Sequence, residues 1–157
     1  MSRSVRMTDI LCQYLMLSQG GGMTRLQQLN AFLDSSQFEG HRFHCMPIQG
    51  DHSVLRVEVE HLNDPPIFVT HTDTQILCIA YLAHRAEIRD DRETQLNALL
   101  LELNVPMPLS AFALVENYYV AFGALALDSD THLIATELVT LAENAQQALL
   151  AFEPYLR

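Results

Sequence analysis

Three histidines and a cysteine fall within twelve positions in the stretch HRFHCMPIQGDH, residues 41–52. These residue types hold zinc, whose ligands must converge to within about 2 Å of the ion. Read as a β-strand over 41–48, the segment alternates its side chains. His41, Phe43 and Cys45 point one way, and Arg42, His44 and Met46 the other. The H-x-x-H spacing then sends its two histidines to opposite faces. His41 and Cys45 share a face but lie four residues apart, about 13 Å along an extended chain. One ion does not bridge that distance. A site on His41, His44 and Cys45 requires either that the segment is not a strand or that histidines from other strands complete it. The favoured reading is of surface or interface histidines that respond to pH. The alternative is a small metal- or ligand-binding protein or enzyme using His41, His44 and Cys45.

Other chemistry-bearing residues are sparser. His61, His71, His84 and His132 fall at strand ends, in loops and near a helix start. His71 and Asp73 in THTDT have acid–base character but no nucleophile beside them. Glu58 and Glu60 are same-face carboxylates at i and i+2, and Arg56 as a neutralising neighbour makes a solvated strand face the simpler reading. No P-loop, G-x-G-x-x-G, G-x-S-x-G or H-E-x-x-H motif occurs. Gly123, alone in YVAFGALAL, marks a bulge or close packing more than a ligand contact. The sequence points to no catalytic residue and no cofactor.

The bulk chemistry narrows the partners. Nineteen acidic against nine basic residues leave a net charge of −10 on 157 residues. Such a chain repels phosphate backbones and anionic lipid, and no basic cluster overrides this, so neither nucleic acid nor a membrane surface is an expected partner. A basic partner protein fits the charge, as does simple solubility. The apolar runs fall short of the roughly 18 residues of a spanning helix, so membrane insertion is not expected. Cys12, Cys45 and Cys78 are far apart with no C-x-x-C, which points to neither a disulfide framework nor a zinc ribbon. Arg3 and Arg6 before ILCQYLML resemble a signal peptide only faintly, since Asp9, Gln13 and Gln19 interrupt it and no cleavage site follows. The expected compartment is the cytoplasm.

The elements follow from periodicity. Residues 1–22 read as a separate extension, with Met7, Ile10, Leu11, Tyr14 and Leu15 on one face of a short helix that Gly20–Gly22 break. Met23 is the expected natural start, because Gln-Gly-Gly before a methionine is what a translated purine-rich ribosome-binding site encodes. A single domain then spans 23–157. Thr24 to Gln27 is a T-x-x-Q capping box, opening a helix with Leu26, Leu29, Phe32 and Leu33 on one face. Four strands are expected at 41–48, 53–60, 66–71 and 75–82, separated by turns at Gln49-Gly50-Asp51, Asn63-Asp64-Pro65 and Thr72-Asp73-Thr74. In the second strand Leu55, Val57 and Val59 alternate with Arg56, Glu58 and Glu60, so it is half buried. The uniformly apolar QILCIAYL reads as a strand covered on both faces. Asp90 to Glu93 place acid at the start of a second helix with a stripe of Leu96, Leu99, Leu100 and Leu103, stopped by Pro106. A hairpin follows, 110–115 and 118–127 around Glu116-Asn117. Asp128 to Asp130 then cap a helix over 131–152 with Leu133, Leu138, Leu141, Ala145, Leu149 and Phe152 facing inward. The order α-ββββ-α-ββ-α, with strands in hairpin-linked groups, gives an α+β class with a mainly antiparallel sheet.

Residues 104–156 carry a family resemblance. A P-L-S-A-F strand, a Y-x-x-x-G-A-L strand from Tyr119 to Leu125, and an E-x-x-x-L-A-E-N helix from Glu137 to Asn144 resemble the YjfI-like family of uncharacterised bacterial proteins, over roughly 24–156. The element order is similar to the type III secretion chaperone-like fold, whose members are small, acidic, cytoplasmic, often dimeric, and bind segments of other proteins. The resemblance implies a non-enzymatic protein-binding module, chaperone-like or accessory. Genes of the family often neighbour that of a phage-shock-protein-A-like membrane-remodelling protein, which implies a role around such a system. No catalytic residue transfers, because no catalytic motif belongs to the family. Tyr119 and Phe122 on the last strand, with Leu99 and Leu103 on the second helix, are the candidate contacts for a partner protein or for a second copy in a homodimer.

Overall fold

A computed structural model describes residues 23–50 and 53–157. The readings placed on residues 1–22, and on Asp51 and His52, lie outside the described residues. The elements are α1 (Met23–Ser35), β1 (Gln37–Phe38), β2 (His41–Ile48), β3 (Val54–Val59), β4 (Leu62–His71), β5 (Gln75–His84), α2 (Glu93–Leu103), β6 (Ala111–Val115), β7 (Tyr118–Ala126) and α3 (Thr131–Phe152). The class is α+β, as the strand grouping predicts. One seven-stranded sheet has the order β1-β2-β3-β4-β5-β7-β6, antiparallel throughout.

Alternation along the strands decides what each face carries. Phe43, Val57, Ile67, Cys78 and Ala121 point to one face, where Leu29 and Leu33 of α1 and Ile134, Leu138, Leu141 and Ala145 of α3 pack on them. The other face has its own apolar cluster of Val54, Phe68, Ile79, Tyr81 and Val120, to which none of the described helices contributes a residue. β5 is thus buried on both faces, as its unbroken apolar sequence predicts. Among the described residues the sheet is not sandwiched between helices. A third cluster joins Leu96 and Leu100 of α2 to Tyr119 and Phe152. The chain end is clasped beside it: Arg157 donates from its backbone to Glu87 and from its guanidinium to Asp90, and Arg89 donates to the Tyr155 carbonyl.

Several expectations are corrected. Met23 and Thr24 already lie in α1, so the helix does not begin at a Thr24 cap. The Asn63-Asp64-Pro65 turn is strand instead: β4 starts at Leu62, and the chain reverses at Glu60-His61, with His61 at φ 70. Its prolines are tolerated because the β3–β4 register shifts between Val57 and Val59, where no ladder donor is required of them. α2 starts three residues later than Asp90, and Arg92 at its N-cap makes no side-chain cap bond. Asp90 and Asp91 pair with Arg157 and Arg89 instead. In α3, Asp130 caps as expected, accepting from the Leu133 N–H. The buried stripe is Ile134, Leu138, Leu141, Ala145, Ala148 and Phe152, so Leu133 faces solvent and Leu149 is only half buried. This run keeps the i, i+4, i+7 spacing of one helix face; Leu133 lies about 100° off it.

Candidate functional site

The most distinctive chemistry lies where the α2–β6 connection crosses α3. Pro106 cannot continue α2, and Asn104 ends it. The Asn104 side chain then acts as a short strand: its Oδ1 accepts from the Phe112 N–H at 2.6 Å, and its Nδ2 donates to the Phe112 carbonyl at 3.5 Å. Phe112 belongs to β6, the outermost strand on this side of the sheet. Asn104 therefore occupies backbone groups that an incoming strand would otherwise use.

Asn144 of α3 ties down the far end of the connection. Its Nδ2 donates to the Pro108 carbonyl at 2.9 Å and to Ser110 Oγ at 3.0 Å. Between these anchors Leu109 adopts φ 57, a left-handed conformation that costs a non-glycine residue about 1 kcal/mol or more. A cleft of about 320 Å³ lies here, lined by Leu103, Met107, Pro108 and Phe112 on one side and Ala148 and Ala151 of α3 on the other. A second, of about 220 Å³, lies between α2 and β6 with Leu101 and Leu114 at its walls. Leu101, 70% exposed, and Leu114 line the smaller of these two clefts, and exposed Val105 (89%) and Leu109 flank in sequence the Pro106–Pro108 wall of the larger.

Beneath the connection lies a group that sequence reasoning did not single out. Glu137 of α3 is 4% exposed, and its carboxylate sits over Gly123 of β7. A Cβ at position 123 would collide with Glu137 Oε1 and press on the Leu109 carbonyl. Close packing is thus the reason for this glycine, as its isolation in an apolar strand predicts. Glu137 Oε1 finds no hydrogen-bond partner among the described residues. Burial pushes its carboxyl up to about 7. The thiol of Cys78, on the neighbouring strand β5, is raised by its own burial and by Glu137. The three sequence elements behind the family resemblance therefore meet at one place, with Glu137 on Gly123 and Asn144 on Pro108 and Ser110. Nothing in the spacing of a helix and two strands announces that meeting.

The four candidate contact residues separate. Leu103 lines the larger cleft. Leu99 is half buried on α2, and Phe122 is half buried beside the cluster on the second sheet face. Tyr119 is corrected from an exposed contact to a core residue at the base of the 220 Å³ cleft: it is 1% exposed, packs edge-on against Phe152 at 5.6 Å, and donates its hydroxyl to Asn97 at 2.8 Å. Alternation places it on the helix-covered face beneath α2.

The opening histidines lie elsewhere. β2 alternates as expected, so His44 is exposed on the face opposite His41 and Cys45. His41 Nδ1 hydrogen-bonds the Glu60 carbonyl at 2.8 Å, and burial, then Asp34, push the Cys45 thiol up to about 12. A protonated thiol is a poor metal ligand. Among the described residues, no three His, Cys, Asp or Glu side chains are grouped to hold a metal ion. Glu58 pairs with Arg56 at 2.6 Å, the neutralising contact expected of it.

This element order, with α1 and α3 on one face of an antiparallel sheet, defines an α+β protein of the type III secretion chaperone-like fold. A chain of the heterodimeric ExoU–SpcU complex from the type III secretion system of Pseudomonas aeruginosa shares it, with a TM-score of 0.50 and 16% identity over 83% of this chain and 97% of that one. The chain belongs to the family described as "Uncharacterized protein conserved in bacteria (DUF2170)", whose model matches residues 23–156. It is similar to the uncharacterized protein YjfI of Escherichia coli K12 and of Escherichia coli O157:H7, 27% identical over 112 residues that make up 69% of this chain and 83% of the relative.

Proposed function

We propose that this chain is a non-enzymatic protein-binding module, chaperone-like or accessory in role, that receives a segment of a partner protein at the α2–β6 end of the sheet. The observation that carries the reading is that exposed Leu101 and Leu114 line one apolar cleft, while exposed Val105 and Leu109 bracket the Pro106–Pro108 wall of a second. Exposed large side chains gathered beside clefts mark contact surfaces more than scattered ones do. The 320 Å³ cleft matches one large apolar side chain as an anchor, and a net charge of −10 favours a segment with basic flanks. The structural neighbour, drawn from a heterodimeric complex, supports the same reading. A role beside a phage-shock-protein-A-like system belongs to this proposal as the setting the family resemblance implies.

Site-specific photo-crosslinking in cells tests it. A photoreactive residue at Val105 is expected to capture one dominant protein that the same probe at Arg42, exposed near the opposite edge of the sheet, does not. Equal capture at both positions contradicts the assignment.

A further inference from the structure

We infer that Glu137 is a proton-controlled latch for the 105–110 connection, closed while the acid is neutral and loosened when it ionises. The inference rests on the docking reading only for its consequence, because 106–108 form one wall of the larger cleft.

The geometry carries it. Glu137 is buried, has no hydrogen-bond partner for Oε1 among the described residues, and occupies the space left by the missing side chain of Gly123. The Leu109 carbonyl borders the same space. A neutral carboxylic acid has an O–H to offer that carbonyl, whereas a carboxylate offers only lone pairs to another acceptor. Ionisation therefore turns an attraction into a repulsion at low dielectric. Among the described residues no cation relieves it: β7 presents Gly123, the connection presents the Leu109 peptide, and Cys78 of β5 is the titratable group whose thiol feels the Glu137 charge. Burial is what raises the acid. Leu109 already holds a strained left-handed φ, so the connection has stored energy to release once its partner turns repulsive. In the closed state Asn144 also holds the Pro108 carbonyl and Ser110 Oγ, so opening of the connection releases these two bonds as well.

Amide hydrogen exchange on the full chain, corrected for the intrinsic pH dependence of exchange, reads the latch without any partner. An acid held near 7 when closed and at its ordinary 4.5 when released raises the opening equilibrium of residues 105–112 about tenfold between pH 6 and pH 8. Glu137→Gln, which keeps the shape and a donor, is expected to abolish that rise. A wild type with no rise, or a Gln variant with the same rise, overturns the latch. Carbon-13 NMR of the Glu137 carboxyl is the second reading: titration near 7 supports the latch, and titration in the ordinary glutamate range overturns it. Failure of the docking reading shows separately, as a latch that titrates normally while Val105 captures no partner.

Discussion

At the scale of single residues, the molecule turns on a carboxylate and a glycine. Gly123 is required because Glu137 fills the space a methyl would take, so Gly123→Ala is expected to cost about 2 to 3 kcal/mol. The double variant Gly123→Ala with Glu137→Ala should recover part of that loss in urea denaturation; additive losses would show that the two do not share the space. The Glu137 carboxyl is raised from 4.5 to about 7 by burial. A raised acid contributes stability that is complete below its unfolded value and is lost as pH climbs through its folded one. Unfolding free energy should therefore fall between pH 5 and pH 8, by up to about 3 kcal/mol from this group. Glu137→Gln should flatten that slope, and an unchanged slope would assign it to other groups. The sequence displays Glu137 and Gly123 separately but not their contact. A lone strand glycine signals close packing, yet the residue that approaches it comes from another element and leaves no local pattern.

Among the elements, the strands were the most legible and the boundary residues the least. Val54–Val59 and Gln75–His84 declare themselves by alternation and by an unbroken apolar run, and each lies within two residues of its expected bounds. Asn63-Asp64-Pro65 reads as a turn because Asn, Asp and Pro favour turns, but a register shift lets the strand run through it. The inward face of α3 is legible at Leu138, Leu141, Ala145 and Phe152, but leucine content adds Leu133 and Leu149 to it, where Ile134 and Ala148 do the packing. The α2–β6 end is half legible in the sequence: Leu103 stands out in the leucine stripe of α2, whereas Val105, a valine in a proline-rich connection, leaves no such pattern. Asn104 has a definite element-scale role, closing the outer edge of β6. Asn104→Ala should cost about 1 to 2 kcal/mol, read from the denaturation midpoint, and should promote self-association through β6, seen by sedimentation. A variant that stays as stable and as monodisperse as the parent would contradict that role.

At the largest scale, among the described residues, α1, α2 and α3 gather on one face of the sheet and exposed apolar side chains stand at the α2–β6 end. Among the described residues no helix is long and apolar enough to cross a membrane. The net charge of −10 and the apolar end are the two features on which the proposed partner-binding role rests. One measurement tests this most directly: quantitative mass spectrometry of what copurifies with the full chain from its native cells, compared with the variant carrying Leu101→Asp and Val105→Asp. Both positions are exposed, so the variant should fold as the parent does, checked by circular dichroism. A specific partner recovered with the parent and depleted at least tenfold with the variant is the expected result. The same partner recovered equally with both would contradict the assignment of this end as the binding surface.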